Sequence, residues 1–360
     1  MTQLETLIQT LCPNGVKFVK LGEVAEVGTG KSNGNEAIED GEFPFFVRSK
    51  DIKRLDKYEY NEEAIIIPGE GGIGDIFHYI NGKYALHQRV YRIHFLIDEV
   101  NVKFAYYYMS TNFKSYIMTK AVSATVTSIR KPMIENFQIP LPPLAVQSEI
   151  VRILDKFTLY KAELAAELAA RLQQYEYYRD KLLTFDDTVK RVKLGEVATI
   201  KNGKGYKDLG NGTIPVYGSG GIMTYVDTAV YDKPSVLIPR KGSLSNLFYL
   251  ETPFWNVDTI FYTIINNEVI IPKFLFYLLQ NMHLETLNKA GGVPSLTQEI
   301  LNKISIPLPP LSEQERIVSI LDRFDKLCHD IREGLPAEID LRQKQYEHYR
   351  DKLLTFEAKG

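Results

Sequence analysis

The sequence predicts a mixed α/β protein with two α/β domains and two long helices, related by an internal pseudo-twofold repeat. Three pairs of similar segments predict this architecture, because they occur in the same order in both halves of the chain. The pairs are 20–25 with 193–198 (Lys-Leu-Gly-Glu-Val-Ala), 139–144 with 306–311 (Ile-Pro-Leu-Pro-Pro-Leu) and 178–185 with 349–356 (Tyr-Arg-Asp-Lys-Leu-Leu-Thr-Phe). Each half therefore reads as a domain, a proline-rich joint and a helix.

The positions of the repeats give the domain boundaries. We assign the first α/β domain to residues 1–140, a central coiled-coil helix to 141–185, the second α/β domain to 186–307 and a C-terminal coiled-coil helical region to 308–360. The stretches between the repeated segments agree far less than the segments themselves. One frame therefore carries two unlike domains.

The composition is that of a globular protein with ordinary hydrophobic cores. The 360 residues are 44% hydrophobic and 24% charged, and the formal net charge is −2. This charge argues against a simple polycation that coats nucleic acid. Any DNA binding must come from local basic clusters or from basic partner subunits.

The cysteines and the apolar segments indicate the compartment. Cys12 and Cys328 occupy non-equivalent places near opposite ends of the chain, which leaves neither a disulfide framework nor a zinc knuckle. We see no signal sequence, and no stretch approaches roughly 18 uninterrupted apolar residues. We expect a cytoplasmic protein without a membrane anchor.

Each α/β domain contains one strongly predicted buried strand. The runs 64–68 (Ala-Ile-Ile-Ile-Pro) and 235–239 (Ser-Val-Leu-Ile-Pro) are apolar, end in proline and open onto polar, glycine-containing loops. These loops, 69–75 and 240–246, carry different side chains at the same place in the two halves. Such variation is typical of a surface that selects a sequence. We assign the aromatic run 104–108 to the core rather than to base stacking.

The helical segments are predicted from the spacing of apolar residues. From Ile150 they recur at alternating steps of four and three, interrupted at Lys161 and Arg171, and the second segment begins alike at Ile317. An amphipathic helix on an ordinary core would explain one seam, whereas two seams at equivalent positions favour two helices that pack against each other. The predicted seam and contact residues are Leu154, Phe157, Leu164, Leu168, Tyr175, Tyr178, Leu182, Leu321, Phe324, Tyr346, Tyr349 and Leu353.

Two features distinguish the helices. The first contains a tandem Ala-Glu-Leu-Ala unit at 162–169, made of strong helix formers. The second is interrupted by Gly334-Leu335-Pro336, and proline inside a helix costs about 3 kcal/mol. We expect a kink or short break there, with a new helix from about Ala337 to Leu354.

Catalytic motifs are missing from the sequence. There is no His-Glu-x-x-His pair, no Gly-x-Ser-x-Gly elbow and no Cys-His metal spacing. Residues 25–32 end like a phosphate-binding P-loop, but Ala25 replaces its first glycine. The second copy, Asn202-Gly203-Lys204-Gly205, lacks the hydroxyl that would hold magnesium. We interpret both as turns whose lysines can meet DNA phosphate.

The order of domain, joint, helix and Tyr-Arg-Asp-Lys-Leu-Leu end resembles the specificity (S, or HsdS) subunits of type I restriction-modification systems. The most specific parts are 174–185 and 345–356, and the match spans essentially the whole chain. The resemblance implies two target-recognition domains, within 18–140 and 192–307, held at opposite ends of an antiparallel helical pair. Each domain would read one half of a bipartite, asymmetric DNA site, and the helices would set the gap.

The resemblance also implies partners and cofactors. The chain would be a non-catalytic subunit that binds double-stranded DNA, two methyltransferase (M) subunits and restriction (R) subunits, and no membrane. No cofactor would bind this chain, while S-adenosylmethionine, ATP and magnesium belong to the partner subunits. The helical seams and the Tyr-Arg-Asp-Lys-Leu-Leu ends would carry the subunit contacts. A methylation-only system would use the same kind of subunit.

Candidate DNA-reading residues follow from side-chain chemistry, because Arg and Lys suit guanine, Asn and Gln suit adenine, and Glu can accept a hydrogen bond from cytosine. For each of them a solvated surface role is the alternative. In the first domain the candidates are Lys31, Arg48, Lys50, Glu70, His87, Gln88, Arg89 and Arg130. In the second they are Lys204, Tyr206, Tyr217, Ser219, Arg240, Lys241, Asn246 and Gln298.

Two rival classes of function stay open. A self-sufficient nuclease or methyltransferase is disfavoured, because the sequence has no acidic metal cluster or cofactor loop. A structural coiled-coil adaptor without sequence selectivity of its own is the other alternative. Sequence-selective DNA binding by the full assembly would separate the adaptor from the specificity subunit.

Overall fold

The computed structural model of the protein describes residues 3–120, 128–287, 295–329 and 334–359. The chain divides into a first unit, Met1–Glu163 with Asp340–Gly360, and a second unit, Leu164–Ile339. Both ends of the chain thus belong to the first unit. There the Val16 N–H donates to the Glu357 carbonyl and the Lys359 N–H donates to the Val16 carbonyl, each at 2.9 Å.

The first unit is built around a six-stranded sheet. Its described elements up to the central helix are α1 (Gln3–Leu11), β1 (Lys17–Lys20), α2 (Leu21–Val24), β2 (Ala25–Thr29), a 3-10 helix (Gly34–Glu36), β3 (Phe43–Phe46), β4 (Ile52–Leu55), β5 (Tyr60–Pro68), β6 (His78–Leu86), β7 (Val90–Phe95), α3 (Val102–Lys120), α4 (Lys131–Glu135), β8 (Gln138–Leu141) and α5 (Leu144–Leu183). The large sheet has the order β2-β7-β5-β6-β3-β4, and β1 pairs with β8. Strands β3 and β6 are parallel, and the other neighbours are antiparallel.

Strand β5 lies inside this sheet, and its second half, residues 64–68, is buried on both faces. Ile65 and Ile67 join a cluster with Phe113 of α3, while Ile66 joins a second cluster with Tyr84. Alternate side chains of a strand point to opposite faces, so a segment that is covered on both faces buries all of them. The predicted buried strand at 64–68 is confirmed, and the aromatic run 104–108 lies in α3, in or against the core.

The second unit divides its strands among three smaller sheets. Its described elements are β9 (Arg191–Lys193), α6 (Leu194–Val197), β10 (Ala198–Lys201), β11 (Ile214–Gly218), β12 (Gly221–Val226), β13 (Ser235–Pro239), β14 (Phe248–Leu250), β15 (Trp255–Asn256), β16 (Ile260–Ile265), α7 (Pro272–Asn281), a 3-10 helix (Leu284–Leu287), α8 (Gln298–Asn302), β17 (Ser305–Pro307) and α9 (Leu311–His329); α10 (Leu335–Leu353) follows. The sheet orders are β10-β16-β13-β14, β12-β11-β15 and β17-β9. Strand β13 is buried throughout, which confirms the predicted strand 235–239.

The repeated sequence segments are spatial neighbours in each unit. In the first, Ile139 of the proline-rich joint pairs with Val19, just before α2; in the second, Ile306 pairs with Val192, just before α6. The joints are therefore extended strands that bring the start of each long helix beside the first strand of its domain.

A buried glutamine locks each joint. Gln147 and Gln314 are both 0% exposed. The side-chain amide of each accepts one backbone N–H at 2.8 Å, from Asn101 and Ile271 respectively, and donates to two backbone carbonyls at 2.7 to 3.1 Å. Neither glutamine is among the sequence predictions. The repeat carried the signal, because both follow Pro-Pro-Leu by three residues.

A tyrosine, an aspartate and a lysine connect α5 to α3 in the first unit and α9 to α7 in the second. In the second unit, the Tyr277 hydroxyl donates to Asp322 Oδ1 at 2.6 Å, and Lys273 Nζ lies 3.0 Å from the same oxygen. In the first unit, the Tyr107 hydroxyl donates to Asp155 Oδ1 at 2.6 Å, and Lys103 Nζ donates to the other oxygen, Oδ2, at 2.5 Å. Burial, and then the hydrogen bond to the aspartate, raise the pKa of both tyrosines.

Helix α5 is continuous over 40 residues, roughly 60 Å, and contributes to both units. In the first unit it runs antiparallel to α10: the rings of Phe157 and Tyr349 stack with centroids 5.5 Å apart, and Lys161 Nζ lies 4.9 Å from the Tyr346 ring. In the second unit it runs antiparallel to α9, as the contacts of Tyr178 with Phe324 (5.7 Å) and Tyr175 with His329 (5.7 Å) show. The predicted antiparallel helix pairing is confirmed in each unit.

The C-terminal helical region is described as two helices. Helix α9 extends to His329 and α10 begins at Leu335, later than residues 330–333, which lie outside the described part of the chain. Pro336 is the second residue of α10, where its missing N–H has no helical acceptor to lose. The helix predicted over about Ala337 to Leu354 is observed as Leu335–Leu353.

Candidate nucleic-acid interface

The loops that carry the first set of candidates are joined to one another by backbone hydrogen bonds. The Gly69 N–H donates to the Arg89 carbonyl at 2.9 Å, and the Ile129 N–H donates to the Gly69 carbonyl at 2.7 Å. The Gln88 N–H donates to the Ser32 carbonyl at 3.1 Å, and the His87 N–H donates to the Phe46 carbonyl at 3.0 Å. Loops 30–33, 47–51, 69–75, 87–89 and 129–130 are thereby joined. All eight candidates lie on these loops, which are the candidate surface of the first unit.

Glu70 links two arginines on this surface. Arg48 Nη1 lies 3.1 Å from Glu70 Oε2, and Arg89 Nη1 lies 2.9 Å from both carboxylate oxygens. The hydrogen bond from Arg89, and then the one from Arg48, hold the pKa of the Glu70 carboxyl below its ordinary value against the opposing effect of desolvation. The carboxylate therefore stays ionised and keeps both guanidinium groups in one place.

His87 lies beneath this cluster. A cavity of ≈ 340 Å³ is lined by Arg48, Glu70 and His87, together with Gly34, Val47, Ser49, Lys53 and Gly71. The His87 ring is 7% exposed, and its Nδ1 accepts the Arg89 N–H at 3.0 Å. Burial, and then the positive charges of Arg48 and Arg89, lower the pKa of His87. His87 is thus neutral at pH 7 and adds no charge to the cluster.

The P-loop-like segment is a turn that an acidic side chain occupies. The Glu59 carboxylate accepts the Lys31 N–H at 3.0 Å and the Ser32 hydroxyl at 2.6 Å. A phosphate cradle needs such groups for its anion and is followed by a helix, whereas here a three-residue 3-10 helix follows. The exposed Lys31 side chain remains on the candidate surface.

In the second unit, Thr259 organises part of the candidate set. Its carbonyl accepts the Arg240 and Lys241 N–H groups at 2.9 and 3.3 Å, and its hydroxyl accepts the Ser219 N–H at 3.3 Å. The Asn246 side-chain amide donates to the Ser219 carbonyl at 3.2 Å. Ser219, Arg240, Lys241 and Asn246 therefore lie together.

The other candidates of the second unit lie around β15. The Lys204 N–H donates to the Asn256 carbonyl at 2.9 Å, its own carbonyl accepts the Trp255 indole N–H at 3.0 Å, and Gln298 donates to Asn202 at 3.3 Å. The rings of Tyr206 and Tyr217 pack into hydrophobic clusters, and burial raises the pKa of Tyr217. Their packing supports a structural role for these two rings.

The loops after β5 and β13 share one backbone frame. The Gly69 N–H donates to Arg89 and its carbonyl accepts from Ile129; likewise the Arg240 N–H donates to Thr259 and its carbonyl accepts from Leu296 at 2.9 Å. The residue that follows is Glu70 in the first unit and Lys241 in the second. Equivalent positions thus present opposite charges.

The neighbouring hairpins differ in a similar way. Strand β4 presents exposed Lys53 and Arg54, whereas β12 presents Ile222, Met223 and Tyr225 at 50 to 56% exposure. In both units the partner strand also has a parallel neighbour, β6 for β3 and β15 for β11. Lys53 and Thr259 were not among the sequence predictions, because only the strand register brings them to these surfaces.

The predicted seam residues form the helix contacts within each unit. Leu154, Tyr346 and Leu353 share one cluster, and Leu168, Tyr175, Leu182, Leu321 and Phe324 share another. Leu164 is buried, and Phe157 stacks on Tyr349. Tyr178 and Tyr349 are 37% and 43% exposed, so part of each ring remains accessible.

Among residues 3–120, 128–287, 295–329 and 334–359, no group of three or more His, Cys, Asp or Glu side chains is placed to hold a metal ion. No described helix combines the length and apolar character needed to cross a bilayer.

Comparison with known proteins identifies the family. The family model for the type I restriction modification DNA specificity domain matches twice, at residues 13–174 and 186–341. The chain belongs to this specificity-subunit family. The two matches follow the internal repeat, one in each half of the sequence.

One relative of this specificity subunit matches it over nearly its whole length, and a second matches a shorter part at higher identity. A Haemophilus influenzae protein named as a type I restriction enzyme specificity subunit is 28% identical over 99% of this chain and 98% of its own. The specificity subunit of the Escherichia coli type I enzymes EcoR124I and EcoR124II is 37% identical over 63% of this chain and 66% of its own.

Solved structures share the fold. The S subunit of a type I system from M. genitalium superposes with a TM-score of 0.62 at 21% identity, covering 94% of this chain and 95% of that one. A chain from work on complex assembly and conformational transition of the type I R-M system gives 0.59 at 16% identity, covering 95% and 98%. The predicted fold class of the specificity subunit is confirmed.

Proposed function

We propose that this chain gives a type I restriction-modification complex its DNA sequence specificity, with residues 1–140 and 186–307 each reading one half of a bipartite, asymmetric site. The observation that carries this proposal is the pair of equivalent loops at Glu70 and Lys241. One backbone frame presents opposite charges there, as a reader of two unlike half-sites requires. Family membership supports the same function and gives no support to the adaptor.

The chain acts as a non-catalytic subunit in this proposal. Two methyltransferase subunits bind it, one for each helical repeat, and restriction subunits join through them. S-adenosylmethionine, ATP and magnesium are cofactors of those partners, and the complex works in the cytoplasm. The partly exposed rings of Tyr177, Tyr178 and Tyr349, at 60%, 37% and 43%, are suited to such subunit contacts.

The test is to co-express the chain with its methyltransferase partner and to map modified adenines across the host DNA. One asymmetric, gapped motif is expected, because two unlike domains read two unlike half-sites. The control pairs the same methyltransferase with another specificity subunit and must show activity. An active partner that yields no motif with this chain would favour the adaptor.

A further inference from the structure

We propose that Glu70 is a positioning residue that holds Arg48 and Arg89 for bidentate contact with guanine, so that the half-site read by the first domain contains a guanine. The inference rests on the proposed function and deepens it. It replaces direct reading of cytosine by Glu70, the role suggested by side-chain chemistry alone.

The hydrogen bonds of Glu70 decide between these roles. One carboxylate oxygen accepts from both arginines, at 3.1 and 2.9 Å, and the other accepts from Arg89 at 2.9 Å. A carboxylate has about four acceptor sites, and the arginines already occupy three of those of Glu70 with charge-assisted bonds, which are about twice as strong as neutral ones. The carboxylate is better suited to orient the arginines than to read a base.

The arginines keep the donors that guanine needs. Among the described residues, the bonds to Glu70 use only the Nη1 atom of each guanidinium, which leaves Nη2 and Nε of both available. The side chains of Arg48 and Arg89 are 51% and 57% exposed, so these donors reach solvent. Guanine presents two acceptors, O6 and N7, in the major groove, and the planar fork of an arginine matches them.

The loops around the pair are fixed by their backbone. Gly71 has φ +76° and comes so close to the Arg48 carbonyl that an added Cβ would lie 3.0 Å from that oxygen. Gly69 is bonded on both sides, to Arg89 and Ile129. The arginines therefore stand on two loops of set separation, and Glu70 removes most of their remaining freedom before DNA arrives.

The second unit lacks this arrangement at the equivalent place. Lys241 occupies the position of Glu70, and Arg240 lies over the Phe261 ring, with Cζ 5.9 Å from its centroid. Within the part of the chain that the structure describes, neither Arg240 nor Lys241 forms an ion pair. Changes to the Glu70 cluster should accordingly alter one half-site and leave the other intact.

The test uses the co-expressed methyltransferase complex with Arg48→Lys, Arg89→Lys or Glu70→Gln. Lysine keeps the positive charge but not the fork, so each arginine variant should lose discrimination at one guanine by about 5- to 150-fold. Glu70→Gln should also weaken discrimination at the guanine that the arginines read. Mapping of modified adenines reads the change, and the second half-site must keep its sequence in every variant.

The matched control is Glu135→Gln. It removes a carboxylate from the same unit, but one that lies on α4, outside the candidate surface, and pairs with Lys131 at 3.6 Å instead of with the arginines. Its motif should equal that of the unchanged chain. Thermal unfolding of each variant complex must also match, so that a loss of folding is recognised.

Three results would overturn the inference while the proposed function stands. The first would be a half-site, read by the first domain of the unchanged chain, with no guanine on either strand. The second would be Arg→Lys variants that keep the motif and methylate all sites more slowly, which indicates phosphate contacts. The third would be a Glu70→Gln variant whose motif is unaltered. Absence of any motif with the unchanged chain would instead reject the proposed function, and the inference with it.

Discussion

Gln314 tests how much one buried polar side chain contributes to the joint. Gln314→Ala leaves the Ile271 N–H and two carbonyls without their partner, and we expect a loss of about 2 to 4 kcal/mol of unfolding free energy. Trp255, the one tryptophan of the chain, lies in the second unit, so urea denaturation followed by tryptophan fluorescence reports on that unit. An unchanged transition would contradict the assigned role.

The matched control for Gln314→Ala is Gln147→Ala, which removes the equivalent side chain from the first unit. The unfolding transition seen by tryptophan fluorescence should move less in this variant, because the joint of the unit that contains Trp255 stays intact. Gln173 is exposed, so Gln173→Ala should leave the unfolding transitions of both units unchanged.

Single residues also show where prediction from sequence stopped. Chemistry and loop position were enough to choose Arg48, Glu70 and Arg89, which the structure brings together. Whether Glu70 faces a base or its neighbouring arginines depends on side-chain contacts between loops distant in sequence. Thr259 could not be chosen from its side-chain chemistry, because its backbone carbonyl accepts the hydrogen bonds from Arg240 and Lys241.

At the scale of elements, the contact of α7 with α9 through Tyr277 and Asp322 has a definite pH dependence. Tyr277→Phe should cost about 1.5 kcal/mol, the lower end for a bond to a charged group, because Asp322 is 37% exposed. Stability of the unchanged chain and the variant would be compared by urea denaturation at neutral pH. Tyr107→Phe is the corresponding variant in the first unit.

The unfolding free energies of the unchanged chain and Tyr277→Phe should converge at alkaline pH. The folded pKa of Tyr277 is raised, so above about pH 10 the unfolded tyrosine loses its proton while the folded one keeps it. The stability difference between the unchanged chain and Tyr277→Phe is therefore full below about pH 10 and shrinks above it. A difference that grew with pH would contradict this origin.

Elements were the most predictable level of this protein. Both buried strands and the pairing of the helical segments followed from apolar spacing, because burial of apolar surface determines them, whereas the antiparallel orientation came from the family resemblance. The order of the strands in the sheet could not be predicted from apolar spacing. Strand β3 pairs in parallel with β6, although β4 and β5 lie between them in sequence, and nothing local in either strand specifies that partner. The division of the second unit into three sheets was likewise beyond periodicity.

At the scale of the whole molecule, the tandem Ala-Glu-Leu-Ala unit lies in α5 where its residues pass from the first unit to the second. A third copy adds one turn, roughly 6 Å, against about 3.4 Å for a base pair. We expect the unread gap of the methylated motif to grow by about one to two base pairs, with both half-sites unchanged. Glu163→Gln with Glu167→Gln keeps the length and should keep the gap.

The assignment of residues 340–360 to the first unit has a consequence for biosynthesis. A ribosome delivers Leu164–Ile339 as one uninterrupted stretch, so the second unit has all its parts before the first unit does. The first unit, begun earlier, must wait for residues 340–360 to bring the partner of Val16 and the helix that stacks on Phe157. The unit that is begun first is thus completed second, and a stop codon that removed residues 340–360 would damage the unit that contains Val16 and Phe157.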